Sequence, residues 1–295
     1  MNPVGILPVD KPEGPTSHDV VAIARRALSV RRVGHTGTLD PFASGLLLLC
    51  VGWATRLAEY LTALPKVYTG VIRLGERTDT DDRNGVVTAR SDDWRGLTRS
   101  RLEEALTSRT GSLMQRPPEY SAKKVEGRRA YAVARAGGRP ELEARPVRIH
   151  RLALLELSLP DVTVEIGCSS GTYVRAVARD LGEDLGVGGH LRALRRTGIG
   201  DFRVEEAVAI APDTPAETLR AALRPPAAAV AHLPGVTVEA AAATALCSGQ
   251  AIELPSAVEG EGTVAVFVEG GLCCVAERRD GRLHPRKVFP AAAER

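Results

Sequence analysis

The stretch GHTGTLDPFASG (residues 34–45) runs directly into the apolar segment LLLLCV (residues 46–51). Its three glycines permit tight turns and close approach to a ligand, because glycine lacks the Cβ that forbids positive φ. Pro41 disfavours the helical conformation at Asp40, so we expect that carboxylate on an extended corner. The apolar segment has the length and boundaries of a buried strand. An ordinary turn-forming aspartate fits this pattern at least as well as a catalytic carboxylate on a rigid loop does.

The composition is that of a soluble globular protein. The 295 residues, 44% hydrophobic and 25% charged, predict one large domain and a smaller one. A net charge of +3 neither requires nor excludes a nucleic-acid partner. The five cysteines lack metal-ligand spacing, and Cys50 and Cys168 are predicted to be core thiols. The odd number of cysteines predicts a reducing compartment. Because we find neither a signal-peptide pattern nor an apolar run of about 20 residues, we expect a cytoplasmic protein without a membrane partner.

Helices and strands alternate around this stretch in the first hundred residues. Ser17 is the predicted N-cap of the first helix, and Ser100 with Glu103 has the spacing of a capping box. The predicted elements are a strand over 5–9, a helix from Ser17 to Leu28, a helix over 55–64, a strand over 66–75 and a helix opened by Ser100.

An acidic segment occupies residues 77–85. Its Asn84-Gly85 pair favours a hairpin turn. The acids could suggest a metal loop, but the calcium pattern of alternating ligands with a distal glutamate is absent. We therefore predict a solvated turn and no metal site.

Residues 115–148 carry many basic side chains and few large aliphatic ones. Tyr120 and Tyr131 lie among these cations. A solvated insertion and a segment that binds a phosphate backbone are both compatible with this composition. The sequence alone does not favour either interpretation.

The second half of the chain begins with a predicted strand pair over 147–159 and 162–168, followed by a helix from Tyr173 to about Leu185. Arg175 lies in the first turn of this helix, where a cation opposes the helix dipole. That arginine is either solvated or paired with a carboxylate from elsewhere in the chain. Residues 211–234 are the best linker candidate, and residues 236–290 predict a small, mostly β module with turns at Gly270-Gly271 and Asp280-Gly281.

The common cofactor motifs are absent from the sequence. It has no Walker loop, dinucleotide fingerprint, HExxH or GxSxG pattern, so nothing in it predicts a nucleotide cofactor or zinc. Residue chemistry alone indicates an RNA-binding enzyme with one carboxylate.

The stretch at residues 34–47 resembles the catalytic motif of the TruB family of tRNA pseudouridine synthases. Further motifs of that family follow in order across residues 5–205, with Ser44 in place of the more usual threonine. They are Lys11 to Gly14 (KPxG), Lys66 to Tyr68, Leu74 to Gly85 (LGxxTDTxDxxG), Ser121 to Tyr131 in the insertion, Gly171 to Arg175 (GTYxR) and Leu194 to Arg196 (LRR). After Pro234 the chain is only loosely similar to a PUA-like RNA-binding domain.

The resemblance implies a fold and a domain organisation. It implies a pseudouridine synthase fold of the α/β (α+β) class, with a mixed, largely antiparallel sheet, flanking helices and a small, mostly β, PUA-like C-terminal domain. The implied catalytic domain spans residues 1–230, with an RNA-gripping insertion at about 115–148, and the C-terminal domain spans residues 231–295.

The resemblance also implies an activity and its residues. The chain would isomerise uridine 55 in the TΨC stem-loop of tRNA to pseudouridine by base flipping, as a monomer without a cofactor. Asp40 would be the essential carboxylate, held ionised by Arg175, and Tyr68 would stack on the target base. His35 would fill the space that the base leaves. The other implied substrate-binding residues are Lys11, Tyr173 and Leu194 along the pocket and Lys123 and Arg128 in the insertion.

Two other functions remain open at this point. The chain could act mainly as an RNA-binding protein that assists tRNA folding, an output that an active enzyme could also have. It could instead be a carboxylate hydrolase acting on a glycan or nucleoside. A hydrolase of that kind normally needs a second acid paired with the first, and the sequence does not identify one.

Overall fold

Strands dominate the computed structural model, which describes residues 3–120, 124–125, 128–129, 142–253 and 261–289. The strands are β1 (Gly5–Lys11), β2 (Val33–His35), β3 (Ser44–Val51), β4 (Lys66–Leu74), β5 (Glu76–Thr78), β6 (Val87–Arg90), β7 (Gly111–Gln115), β8 (Lys124–Val125), β9 (Arg128–Arg129), β10 (Arg145–Ser158), β11 (Asp161–Cys168), β12 (Gly189–Ile199), β13 (Phe202–Arg203), β14 (Val208–Ala209), β15 (Gly235–Thr237), β16 (Ile252–Glu253), β17 (Gly262–Val268), β18 (Gly271–Arg279) and β19 (Arg282–Val288). The α-helices are α1 (Ser17–Leu28), α2 (Ala58–Ala63), α3 (Arg99–Ser108), α4 (Val174–Asp184), α5 (Ala216–Ala221) and α6 (Ala240–Cys247).

One large sheet carries the first two thirds of the chain. Its strand order is β14-β1-β3-β12-β4-β11-β10-β7, with β2 paired to β3 and β13 paired to β12. The β1–β14 and β3–β12 pairs are parallel, and the other pairs of this sheet are antiparallel. The predicted mixed, largely antiparallel sheet is therefore confirmed.

Strand β3 is buried on both faces of this sheet. Its residues alternate between two apolar clusters, with Leu46, Leu48 and Cys50 in one and Leu47, Leu49 and Val51 in the other. A strand with two covered faces reads as a continuous apolar run, which is the pattern at residues 46–51. Each fully buried aliphatic side chain contributes about 1.5–3 kcal/mol. The loop at residues 34–45, called the Asp40 loop below, is therefore joined to one of the most firmly held strands.

Helix α1 has the predicted bounds, but its N-cap is Thr16 and not Ser17. The Thr16 hydroxyl accepts a hydrogen bond from the Asp19 amide at 3.1 Å, and the Asp19 carboxylate accepts one from the Thr16 amide at 2.8 Å. Ser17 is buried, and its hydroxyl both accepts from the Leu39 amide (2.9 Å) and donates to the Leu39 carbonyl (3.1 Å). The serine therefore attaches the helix to the Asp40 loop, next to its carboxylate.

Two other helix predictions need correction. The predicted helix at 55–64 is split into a 3₁₀ helix over Gly52–Leu57 and the short α2. The predicted capping box of α3 is wrong, because Thr98 is the N-cap and its hydroxyl accepts from the Arg101 amide at 3.3 Å. Sequence windows that hold several hydroxyl residues allow more than one cap, and packing decides which is used.

Residues 211–234 are packed against the main sheet and do not form the loose linker that the sequence suggested. Leu219 of α5 and the pair Ala229 and Val230 are fully buried. The Arg224 amide donates to the Ile6 carbonyl at 2.8 Å, and the Ile6 amide donates back at 2.9 Å. This segment thus returns the chain to β1 before the C-terminal module begins.

The C-terminal module is a sheet with the order β15-β17-β18-β19-β16, covered on one side by α6. Two-residue turns join its hairpins: Asp280-Gly281, as predicted, and Glu269-Gly270, one residue before the predicted pair. All four turn residues have positive φ, as hairpin turns with the twist of the strands require. Trp53 stacks on Phe289 with ring centroids 4.9 Å apart, which joins the module to the 3₁₀ helix that follows β3. The boundary at residues 230 and 231 remains a prediction.

None of the helices in the described ranges combines the length and apolar character needed to cross a membrane.

Candidate active site

A pocket of about 470 Å³ opens beside Asp40, between the Asp40 loop, strand β4 and the N-terminus of α4. The residues that line this pocket, called the Asp40 pocket below, are Gly37, Thr38, Leu39, Asp40, Thr62, Lys66, Tyr68, Tyr120, Ser169, Ser170, Gly171, Thr172, Tyr173, Val174, Arg175, Leu194 and Arg196. Loops and strand ends far apart in sequence thus converge on one carboxylate.

Asp40 and Arg175 form an ion pair at the wall of the pocket. The Arg175 Nε lies 2.9 Å from the Asp40 Oδ2, and its Nη2 lies 3.4 Å from the Asp40 Oδ1. The Arg175 side chain is 7% exposed, whereas the Asp40 side chain is 35% exposed. The arginine at the start of α4 is therefore paired rather than solvated, and its carboxylate partner keeps one side open to the pocket.

The guanidinium of Arg175 is held by three further contacts. Its Nη1 donates to the Thr80 carbonyl at 3.0 Å, and its Nη2 donates to the Tyr120 carbonyl at 2.9 Å. The same Nη1 lies 3.5 Å from the Asp82 Oδ2. With this many acceptors around it, the arginine presents a fixed fork to Asp40.

The acidic segment is part of this arrangement, which corrects the prediction of a solvated turn. Asp82 is buried, and its Oδ1 accepts from the Asn84 amide (2.9 Å) and the Thr80 hydroxyl (2.8 Å). The predicted hairpin is present as β5 and β6, but residues 79–86 connect it instead of a two-residue Asn84-Gly85 turn. Asp82 can stay buried because Arg175 and these donors satisfy it.

Burial raises the pKa of Asp40 above its ordinary value. The Arg175 charge and its hydrogen bonds oppose that shift, and the nearby Asp82 charge adds to it. The ionised form of Asp40 therefore depends strongly on Arg175.

Tyr68 also forms part of the wall of the Asp40 pocket. It is a residue of β4, is 8% exposed, and burial raises the pKa of its phenol. The guanidinium of Arg196 lies 6.0 Å from the centre of its ring. The tyrosine thus contributes an aromatic ring to the pocket wall, with the Arg196 cation over that ring.

Arg196 holds the Asp40 loop in place. The sequence indicated it only as part of a motif. It is 1% exposed, its Nε donates to the Leu46 carbonyl at 2.7 Å, and its Nη2 donates to the Gly37 carbonyl at 3.1 Å. These two bonds hold both sides of the Asp40 loop. Contacts of a buried arginine with backbone carbonyls leave no sequence pattern by which to predict them.

Gly45, at the end of the Asp40 loop, pairs with Arg196 of the parallel strand β12, and we expect Gly45→Ala to disrupt the site. A Cβ on Gly45 would lie 2.3 Å from the Arg196 carbonyl oxygen, and its φ is +102°. We expect a loss of about 3 kcal/mol of unfolding free energy, measured by denaturant unfolding. Gly34→Ala in the same loop is the control, because its Cβ would meet no atom within 4 Å and should change stability by less than about 0.5 kcal/mol. Equal losses for the two variants would contradict this account.

Lys11 does not belong to the described lining of the pocket, contrary to the sequence-based expectation. It is fully buried, and its ammonium donates to the carbonyls of Pro12 (2.8 Å), Pro15 (2.8 Å) and Pro41 (3.5 Å). A buried ammonium needs such acceptors. Lys11 therefore ties the first turn-rich loop to the residue that follows Asp40.

His35 lies outside the lining as well, at the start of the Asp40 loop. Its ring packs edge-on against His18 with centroids 5.2 Å apart. Burial lowers the pKa of His35 to about 4, with further contributions from the charges of His18 and Arg196. The imidazole is therefore neutral near pH 7, which removes the cost of desolvating a charge if it moves into an apolar space.

Tyr173 and Leu194 do line the pocket, as expected. The Tyr173 amide donates to the Gln115 side chain at 2.8 Å, and the Gln115 amide group donates back to the Tyr173 carbonyl at 3.1 Å. Lys123 lies outside the described residues. Arg128 is described only as backbone of β9, so the expected RNA contact of its side chain stays a prediction.

The part of the chain that the structure describes contains no group of three or more His, Cys, Asp or Glu side chains able to hold a metal ion.

Three family models match the chain in succession. The model for the N-terminal domain of TruB family pseudouridylate synthases matches residues 25–174, the model for the C-terminal domain of tRNA pseudouridylate synthase B matches residues 175–231, and the model for the C-terminal region of pseudouridine synthase II TruB matches residues 234–289. The chain belongs to the TruB family. The motif resemblance is thereby confirmed.

Relatives that carry one shared name are similar over most of the chain. A protein named tRNA pseudouridine synthase B from Azoarcus sp. (strain BH72) is 42% identical over 287 residues, covering 97% of this chain and 94% of its own length. Proteins of the same name from Corynebacterium diphtheriae and Mycolicibacterium paratuberculosis are 48% and 54% identical, covering 70% of this chain and 71% and 72% of their own lengths.

Solved structures extend the TruB-family similarity to the whole fold. The matched chain of a Cbf5-Nop10-Gar1 complex superposes with a TM-score of 0.74 at 26% identity, covering 97% of this chain and 85% of that chain. The matched chain of an H/ACA RNP bound to a substrate RNA containing 2'-deoxyuridine gives the same TM-score at 24% identity, covering 98% and 86%. The pseudouridine synthase fold predicted from the motifs is confirmed, including a β-rich C-terminal domain.

Proposed function

We propose that this TruB-family chain is a tRNA pseudouridine synthase that isomerises uridine 55 in the TΨC arm to pseudouridine. The names of its relatives support the reaction and the class of substrate. The observation that carries the proposal is the partly exposed Asp40 carboxylate, which pairs with buried Arg175 at the wall of a pocket that Tyr68 helps to enclose. One ionised acid beside an aromatic wall matches an isomerisation at a glycosidic bond.

The reaction breaks the N1–C1′ glycosidic bond, rotates the uracil and joins C5 to C1′. The hydrogen on C5 leaves as a proton and N1 gains one, so electrons and atoms balance without a cofactor. Asp40 supplies the negative charge, either at the ribose or at the base, and both attack modes are compatible with its open side. Arg175 keeps that charge present in a site whose burial otherwise favours the neutral acid.

The target uridine enters the Asp40 pocket as an extruded nucleotide. A pocket of about 470 Å³ accommodates one nucleotide and not a base-paired stem. Extrusion costs a few kcal/mol of unstacking. Tyr68 and Leu194 offer the base a surface on which to stack, and neutral His35 moves into the space that the base leaves.

The structure corrects one premise about a carboxylate hydrolase, because a second acid does lie near Asp40. Asp82 touches the same guanidinium, but its side chain is 8% exposed and it is not in the described lining of the pocket. Its oxygens accept from Thr80, Asn84 and Arg175, all within the protein. Asp82 therefore balances Arg175 and is not positioned to activate a water for hydrolysis.

The test uses a tRNA transcript labelled with tritium at C5 of its uridines. A synthase releases tritium to water because C5 forms the new bond, whereas a nucleoside hydrolase releases free uracil. We expect tritium release from the transcript, no release of uracil, and no reaction with free uridine. Uracil release, or free uridine as a comparable substrate, would overturn the proposal.

The proposed role of Tyr68 predicts a defect in chemistry without a defect in binding. Tyr68→Phe keeps the aromatic ring but loses its hydroxyl. We assign to this hydroxyl the transfer of the proton on C5 of the uracil. We expect the single-turnover rate to fall by about 10²- to 10⁴-fold at unchanged tRNA affinity. Tyr60→Phe on α2 is the matched control and should react normally. A Tyr68→Phe rate equal to that of the control would remove the phenol from the mechanism.

A further inference from the structure

Three thiols meet in the C-terminal module, away from the Asp40 pocket. Cys247 is the last residue of α6 and is exposed, whereas Cys273 and Cys274 of β18 are fully buried. Cys247 and Cys273 both line a separate cavity of about 620 Å³ between α6 and the turn at Glu269 and Gly270. Solvent and small solutes can therefore reach one member of the group.

A bulge in β18 brings the two buried thiols to the same side. Leu272 pairs with Phe267 and Cys274 pairs with Val266, so Cys273 is an extra residue between two regular pairs. In a regular strand, neighbouring side chains point to opposite faces of the sheet. Here both cysteines belong to the apolar cluster under α6, with Leu246. The bulge thus turns Cys273 towards the end of α6.

The Sγ atoms of Cys247 and Cys273 are 3.6 Å apart. A disulfide needs about 2.05 Å between its sulfurs, so closing the bond requires a movement of about 1.5 Å. The end of a helix is where such a movement costs least, because its last turn frays. We propose that Cys247 and Cys273 are a redox-active thiol pair that closes to a disulfide when the protein meets a low-molecular-weight disulfide.

The reaction proceeds by two thiol–disulfide exchanges. The Cys247 thiol passes its proton to the adjacent Cys273 thiolate and attacks one sulfur of the small disulfide, RSSR, which forms a mixed disulfide and releases RS⁻. Cys273 then passes that proton to the released RS⁻ and, as a thiolate, attacks the Cys247 sulfur and releases the second RS⁻. The two cysteines lose two electrons and two protons in all, and RSSR becomes two RSH.

The acidities of the paired thiols place the thiolate on Cys273. Burial and the hydrogen bond with Cys273 raise the pKa of Cys247 to about 11, whereas hydrogen bonds from Cys274, first, and from Cys247 lower the pKa of Cys273 to about 6. A thiolate on Cys273 is therefore available at neutral pH to accept the proton of Cys247 and later to attack its sulfur. By contrast, burial raises the pKa of Cys50 to about 12 and that of Cys168 to about 11. These two core thiols are built-in controls, because only unfolding would expose them.

The test treats the folded, full-length protein with oxidised glutathione, blocks the remaining thiols and digests it with a glutamate-specific protease. Trypsin is unsuitable because residues 225–277 contain no Lys or Arg. Cleavage after Glu239, Glu253, Glu269 and Glu277 places Cys247 in one peptide and Cys273 with Cys274 in another. We expect a species in which the two peptides are cross-linked. The Cys274→Ser protein should form it as well, and the Cys273→Ser protein should not. Cys50 and Cys168 should react with the blocking reagent only after denaturation.

Three results would overturn the proposal. A Cys247 that stops at the glutathione mixed disulfide would show that Cys273 does not resolve it. A peptide of residues 270–277 that loses two mass units without a cross-link would show that Cys273 pairs with Cys274 instead. A cross-link that appears only together with native-state labelling of Cys50 and Cys168 would show that it forms in unfolded protein.

Discussion

Replacing Asp40 with asparagine is expected to lower the single-turnover rate of pseudouridine formation by about 10⁴-fold, with tRNA affinity unchanged. The amide keeps the size of the side chain, and its oxygen can still accept from Arg175, so the pocket should keep its shape. It loses the negative charge on which either attack mode depends. The rate is measured by tritium release with enzyme in excess over transcript, and the affinity by filter binding.

Asp213→Asn is the matched control for this experiment. Asp213 is an exposed carboxylate outside the Asp40 pocket, and the same chemical change there should leave the rate within about twofold of wild type. Tritium release at the wild-type rate by the Asp40→Asn protein would remove Asp40 from the chemistry. If the Asp40→Asn protein anneals tRNA as well as wild type does, assistance of tRNA folding is separate from catalysis.

Arg175→Lys is expected to lower the same rate by about 10²- to 10³-fold and to alter its pH dependence. A lysine keeps the positive charge but cannot bridge Asp40, Asp82 and two carbonyls as the guanidinium does. Burial already raises the pKa of Asp40, and a weaker partner leaves that shift less opposed. Because the ionised form reacts, the rate rises as pH rises through this pKa. The acidic limb of the profile should therefore move to higher pH in the variant.

Arg179→Lys is the control, since Arg179 lies one turn further along α4. It pairs with Asp81 at 2.9 Å and is not in the described lining of the pocket. We expect its acidic limb to coincide with that of wild type. A uniform fall in rate for Arg175→Lys, with no shift of the limb, would show that Arg175 shapes the pocket without controlling the charge of Asp40.

The sequence was most informative where a local pattern left few structural solutions. The apolar run at residues 46–51 had the length and boundaries of a buried strand, and Arg175 in the first turn of a helix was either solvated or paired with a carboxylate. The ion pair with Asp40 decides between these two alternatives for Arg175. The family motifs then indicated which carboxylate it would be, although the roles assigned to the site residues stay predictions.

Some errors of the sequence analysis concern side chains whose partners lie elsewhere in the chain. Lys11 was expected along the pocket and Arg196 was only part of a motif, yet both are buried and donate to carbonyls of or beside the Asp40 loop. Asp82 looked solvated because its partner, Arg175, lies 93 residues further on. Carbonyl acceptors carry no residue identity, so composition and spacing do not reveal these contacts.

The central claim is that the Asp40 pocket acts on uridine 55, and nucleotide-resolution mapping of pseudouridine tests it most directly. A full-length tRNA transcript is incubated with wild-type protein or with Asp40→Asn, and every uridine is examined. We predict pseudouridine at position 55 alone with the wild-type protein and none with the variant. Pseudouridine at other positions but not at 55, or modification of position 55 by the variant at the wild-type rate, would contradict the account.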